Sequence, residues 1–130
     1  MSVDTNIRIL IVDDQDTVLA ILREILRKLG FRYVDEAKDG VRALEMMRAA
    51  GDPYGLVISD WNMQPVTGMQ LLESMRADPE LAKTPFVMIT GEASKDRVIA
   101  AMGAGVNSYI VKPFSVDVVK KRLAAVLGAF

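Results

Sequence analysis

The chain has 130 residues, about half of them apolar and a quarter charged, with 16 basic and 17 acidic side chains and a formal net charge of −1. This is the size and composition of one globular domain over residues 1–130, and it argues against a disordered chain or a two-domain enzyme. The absence of both Cys and His removes disulfides, thiol and imidazole nucleophiles and the usual zinc ligands, so any chemistry has to come from carboxylates, hydroxyls and lysines.

Ile7 to Val12 is a short apolar run that closes on Asp13 and Asp14, the pattern of a buried parallel strand. Val18, Ile21, Leu22, Ile25, Leu26 and Leu29 then recur at helical spacing, with Asp16 expected to cap the start and Gly30 to end it. A short segment near Arg32 to Ala37 precedes a second helix, from about Val41 to Ala50, closed by Gly51, Asp52 and Pro53. Leu56 to Ser59 is a third run, ending on Asp60. After a loop carrying Gln64 and Pro65, Gly68 opens a helix with Leu71, Leu72 and Met75 inward, and Asp78 and Pro79 stop it. Thr84 to Thr90 is expected as a strand, Ser94 to Ala104 as a helix and Asn107 to Lys112 as the last strand. The last helix begins near Ser115 and carries Val119, Leu123, Val126 and Leu127 inward.

Alternating strand and helix segments of this kind build a doubly wound α/β sheet with helices on both faces, and such sheets bind ligands beyond the carboxyl ends of their strands. Asp13, Asp14, Asp60, Thr90 and Lys112 all fall at such ends. Taken singly, each has a structural reading: the acids from Asp13 to Asp16 suit a helix N-terminus, Asp60 a turn, Thr90 a strand end and Lys112 a surface ammonium. Their joint placement on one rim is what points to chemistry. Clustered carboxylates repel one another unless a hard cation with oxygen ligands neutralises them, and magnesium, held by Asp14 and Asp60 with Asp13 through water, fits. Asp60 is then placed to attack a phosphoryl donor, Lys112 to balance the phosphoryl oxygens and the Thr90 hydroxyl to donate to one of them. A sharp turn at the end of the last strand is needed to bring Lys112 back toward Asp60, and a cis bond before Pro113 provides one.

The stretches Val12-Asp13-Asp14, Ile58-Ser59-Asp60-Trp61-Asn62-Met63, Phe86 to Gly91 and Val111-Lys112-Pro113-Phe114 resemble the receiver domain of two-component response regulators, in particular the single-domain CheY-like chemotaxis regulators. The resemblance spans essentially the whole chain. It implies a flavodoxin-like five-stranded parallel sheet of order 2-1-3-4-5, an order that periodicity alone does not give. It further implies Asp60 as phosphoacceptor, Asp13 and Asp14 as acidic metal-site residues, the main-chain carbonyl of Asn62 as a further metal ligand, and Thr90, Tyr109 and Lys112 as the switch set. Implied partners are a histidine kinase, a phosphatase and a downstream effector such as the flagellar motor switch. The effector is expected to dock on the face of the fourth helix, fifth strand and last helix, where Ile99, Tyr109 and the charges from Lys120 to Arg122 come together. The protein would catalyse only its own phosphorylation and dephosphorylation.

Three positions depart from the family pattern. Gln64 stands where Pro is usual, with Pro65 one place later; Thr67 precedes the helix glycine where an acid is common; Gln15 replaces a frequent aromatic residue. Two alternatives stay open. One is a haloacid-dehalogenase-like aspartyl phosphatase, for which Asp14-Gln15-Asp16-Thr17-Val18 supplies a nucleophile and a general acid; the other is a receiver acting as a phosphate sink or relay. A balanced net charge and a single short basic run, Lys120 to Arg122, argue against nucleic-acid binding. No apolar run approaches membrane-spanning length, and Met1 to Arg8 has no signal-peptide character. The expectation is a cytoplasmic monomer.

Overall fold

The computed structural model describes residues 2–92 and 94–130. Ten elements alternate along the chain: β1 (Arg8–Val12), α1 (Asp16–Lys28), β2 (Tyr33–Ala37), α2 (Gly40–Ala49), β3 (Leu56–Asp60), α3 (Gly68–Ala77), β4 (Phe86–Thr90), α4 (Lys95–Gly103), β5 (Ser108–Val111) and α5 (Val116–Leu127). The strands form one parallel sheet in the order β2-β1-β3-β4-β5, the doubly wound order that the family resemblance implied.

The two-residue period of a strand divides the core. Ile9 and Ile11 of β1, Leu56 and Ile58 of β3, and Val87 and Ile89 of β4 pack with Leu19, Leu22, Ile25 and Leu26 of α1 and Val119 and Leu123 of α5. Leu10, Val12, Val57, Phe86 and Met88 face the other way, onto Ala43 and Met47 of α2 and Leu71, Leu72 and Met75 of α3. The central strands β3 and β4 are buried throughout. The fourth helix is held more lightly, since Ala101 is its one buried side chain.

Helix starts are fixed by side-chain caps at Asp39, Thr67, Ser94 and Ser115, whose oxygens accept from the amide three residues on. Thr67 and Gln70 form a reciprocal capping box. The first helix departs from expectation. Asp16 lies inside its first turn, and the N-cap position is Gln15, which makes no side-chain cap bond. The Gln15 amide is instead taken by Asp13 Oδ1 at 2.9 Å, so an acid of the strand end meets the free amide and Asp16 is left to pair with Lys38 at 2.9 Å. Gly30 follows the helix with φ +100°, as a glycine beyond a helix end should.

Register sets the rim. Val12 pairs with Ser59, Asp60 with Ile89, and Thr90 with Val111, so Asp13, Asp60, Thr90 and Lys112 emerge from four adjacent strands at nearly one level. The Lys112–Pro113 peptide is cis, as the turn there required, and so is Gln64–Pro65 in the loop after β3.

Candidate functional site

Asp13 and Asp60 are buried although both are acids, with relative exposures of 0% and 4%. Asp13 follows β1, buried from Ile9 to Val12, and Asp60 ends β3, buried throughout. Asp14, one residue further along, is exposed. One oxygen from each of Asp13, Asp14 and Asp60 lies within 4.8 Å of the others.

Lys112 is the cation that faces them. Its Nζ is 3.1 Å from Asp60 Oδ1 and 3.6 Å from Asp13 Oδ2. One ammonium is shared by two carboxylates: the buried oxygens Asp13 Oδ2 and Asp60 Oδ1 both face Lys112, and among the described residues neither accepts a well-aligned hydrogen bond. Burial, with the neighbouring charges of Asp60 and Asp14 added, pushes the Asp13 carboxyl up to about 6. Burial also raises Asp60, against the pull of Lys112. Two buried acids sharing one ammonium, beside a third acid open to solvent, form a donor set for a hard divalent cation.

Thr90 is buried on the neighbouring strand end. Its hydroxyl donates to the Glu92 carbonyl at 3.1 Å and accepts from the Glu92 amide at 3.1 Å. In this state it is turned to its own loop. Trp61 and Tyr109 are half-buried and border, with Met88, Thr90, Arg97 and Ala101, a small pocket between β4, β5 and α4. Arg122 of α5 covers the Tyr109 ring at 5.0 Å. Of the three expected basic neighbours of Tyr109, Arg122 makes this contact, while Lys120 sits 6.0 Å over the Phe130 ring. Ile99 is 58% exposed on α4.

Two glycines frame the ends of β3 and β4 differently. The amide of Gly68 donates to the Trp61 carbonyl at 2.9 Å, and a side-chain carbon at Gly68 would overlap the Asp60 carbonyl and press on the Met88 sulfur. The third helix can lean on the Asp60 main chain only because residue 68 has no side chain. Among the described residues, nothing lies within 4 Å of such a carbon at Gly91, next to Thr90.

Sequence reasoning assigned no role to Arg97 and Glu92. Arg97 of α4 reaches Thr90 Oγ1 at 3.3 Å and Asn62 Oδ1 at 3.4 Å, pairs with Glu92 at 3.6 Å and stacks on Trp61 at 4.7 Å. Its position three residues after the Ser94 cap, on the turn nearest the strand ends, was the available signal. Asp16 lies outside the acid cluster, exposed and paired with Lys38, so Asp14 and Asp16 do not form the nucleophile and acid pair that a phosphatase of the haloacid-dehalogenase kind requires.

The response regulator receiver domain family model matches residues 9–124, and the chain belongs to that family. Its relatives include the chemotaxis protein CheY-3 of Vibrio cholerae, 48% identical over 91% of this chain and 89% of the relative, and the chemotaxis protein CheY of Pseudomonas aeruginosa, 44% identical over 89% and 92%. Among solved structures, the chemotaxis response regulator CheY4 of Vibrio cholerae superposes with a TM-score of 0.85 at 30% identity, covering 94% of this chain and 99% of that one. Among the described residues no helix is long and apolar enough to cross a membrane.

Proposed function

We propose that this protein is a phosphoacceptor response regulator of a chemotaxis-type two-component system, phosphorylated on Asp60 by a histidine kinase. The observation that carries this reading is the pair of buried acids, Asp13 and Asp60, that share the single ammonium of Lys112 beside a third, exposed acid, Asp14, on a fold and sequence shared with chemotaxis CheY proteins.

Asp13, Asp14 and Asp60, together with the main-chain carbonyl of Asn62, are the residues to hold magnesium. Bound there, magnesium supplies positive charge to the oxygens of the transferring phosphoryl group. A carboxylate oxygen of Asp60 attacks phosphorus; an O–P bond forms as the P–N bond of the kinase phosphohistidine breaks, and the imidazole leaves neutral once a proton is supplied from solvent. Lys112, already 3.1 Å from Asp60, compensates the charge brought to the site. The Thr90 hydroxyl, released from Glu92, donates to a phosphoryl oxygen, and the Tyr109 ring moves into the space beside Thr90. These shifts reshape the face of α4, β5 and α5, on which a downstream effector such as a flagellar motor switch docks. The protein works in the cytoplasm as a signalling component, and its own chemistry is limited to gaining and losing the phosphoryl group.

Incubation with magnesium and a small phosphodonor, followed by mass analysis, tests the reading. The wild type should gain one acid-labile phosphoryl group, and Asp60→Asn none. Labelling of Asp60→Asn to the wild-type level, or metal-independent labelling, would overturn it.

A further inference from the structure

The Thr90 hydroxyl has one hydrogen and two lone pairs, and all three are engaged: the hydrogen by the Glu92 carbonyl, the lone pairs by the Glu92 amide and Arg97. To serve a phosphoryl oxygen on Asp60, Thr90 must give up its bond to the Glu92 carbonyl. Arg97 adds a charged donor to the resting side of that choice, and charged donors make the stronger hydrogen bonds.

The guanidinium is also well placed to be held still. One branch bonds Thr90, the other Asn62 two residues beyond Asp60, while the ion pair with Glu92 and the face of Trp61 hold its plane. It is 28% exposed, so these contacts are partly shielded from water. Its helix carries a single buried side chain, Ala101, which leaves α4 free to follow the loops it is tied to.

We propose that Arg97 is a positioning residue of the switch: by bridging the loop after β3, the loop after β4 and helix α4, it holds Thr90 turned toward Glu92 and sets the resting balance against the phosphorylated arrangement. This rests on Asp60 being the acceptor. Removing the guanidinium takes one of three interactions from the resting state, which shifts the two-state ratio toward the turned-in form by roughly two- to five-fold.

The test uses backbone amide NMR signals of Glu92 and Tyr109 in the whole protein, resting and loaded with magnesium and beryllofluoride as a phosphoryl probe. In Arg97→Gln without the probe, these signals should move along the line that joins wild-type resting and loaded positions. In Arg97→Lys, which keeps the charge but lacks the fork that reaches Thr90 and Asn62 together, they should move as in Arg97→Gln. In a Thr90→Ala background Arg97→Gln should produce no such movement, since the hydroxyl it holds is gone. Resting signals that stay at wild-type positions, leave that line, or move equally in both backgrounds would overturn the proposal while leaving Asp60 as acceptor. A wild type that neither takes a phosphoryl group on Asp60 nor responds to the probe would overturn both.

Discussion

The two rims of the sheet handle charge in opposite ways. At the amino ends of the strands, Arg8 bonds Asp35 at 2.9 Å and the Tyr54 hydroxyl at 3.2 Å, and Tyr54 donates to Asp35 at 2.7 Å. On the same rim Arg76 donates to the carbonyls of Gly105 and Thr84 and to Asn107 Oδ1. Both arginines there have partners of matching geometry. At the carboxyl ends two buried acids share one lysine, which faces one oxygen of each. One rim is arranged for stability, the other holds unspent electrostatic energy that a cation and a phosphoryl group can use.

The largest expected stability effect lies on the satisfied rim. Arg76→Ala removes the guanidinium that ties α3 to the segments before β4 and β5 and should cost about 2–3 kcal/mol in chemical denaturation. A loss within experimental error would show that this rim is not the stabilising one.

Asp13→Asn should act with the opposite sign. The folded, metal-free protein raises this carboxyl from 3.8 to about 6, so it binds the proton more tightly than the unfolded chain does. The stabilising contribution of that proton is present below about pH 4 and lost as pH rises through about 6. At pH 7, without metal, the substitution should therefore stabilise by about 1–2 kcal/mol, and the gain should vanish near pH 4. Equal destabilisation at both pH values would mean that Asp13 is already satisfied.

Metal binding should follow the same proton. Because a cation displaces it, magnesium affinity should be steady above about pH 6 and fall toward tenfold per unit below. Emission of Trp61, the sole tryptophan and the residue next to Asp60, reports the titration; Asp14→Ala should remove the response. An affinity that does not change between pH 7 and 5 would dissociate the metal from this acid.

Tyr54→Phe should have the smallest effect, about 1 kcal/mol, since Asp35 keeps Arg8. Burial and the bond to Asp35 push the Tyr54 hydroxyl up to about 12, so the cost should be the same from pH 6 to 9. A pH-dependent cost in that range would place a titrating group on the rim described as quiet.

The same contrast decides what the sequence makes legible. Strands and site acids are readable because a buried parallel strand leaves a short apolar run, and its polar terminus marks the rim. The edge strand β2 is only partly buried, so its sequence, Tyr-Val-Asp-Glu-Ala, lacks that signature and reads as little more than a short segment. The cap of α1 was misread because the acid that meets the Gln15 amide belongs to the strand before it. Arg97 with Asn62, Arg76 with Asn107 and Arg122 with Tyr109 join residues from separate elements, and no local period records such pairs. Strand order came from likeness to a family, because periodicity says which segments are strands but not which are neighbours.

The two glycines beside the acceptor imply a sharp difference in mutational tolerance. At position 68 even a methyl group would strike the Asp60 main chain, so a saturation library there should retain glycine alone. At position 91, where φ is not positive and space is open, the library should accept most residues. A side chain introduced there would stand beside Thr90 without moving a strand, giving selection or design a place to reshape this rim while the Asp60 main chain keeps its position.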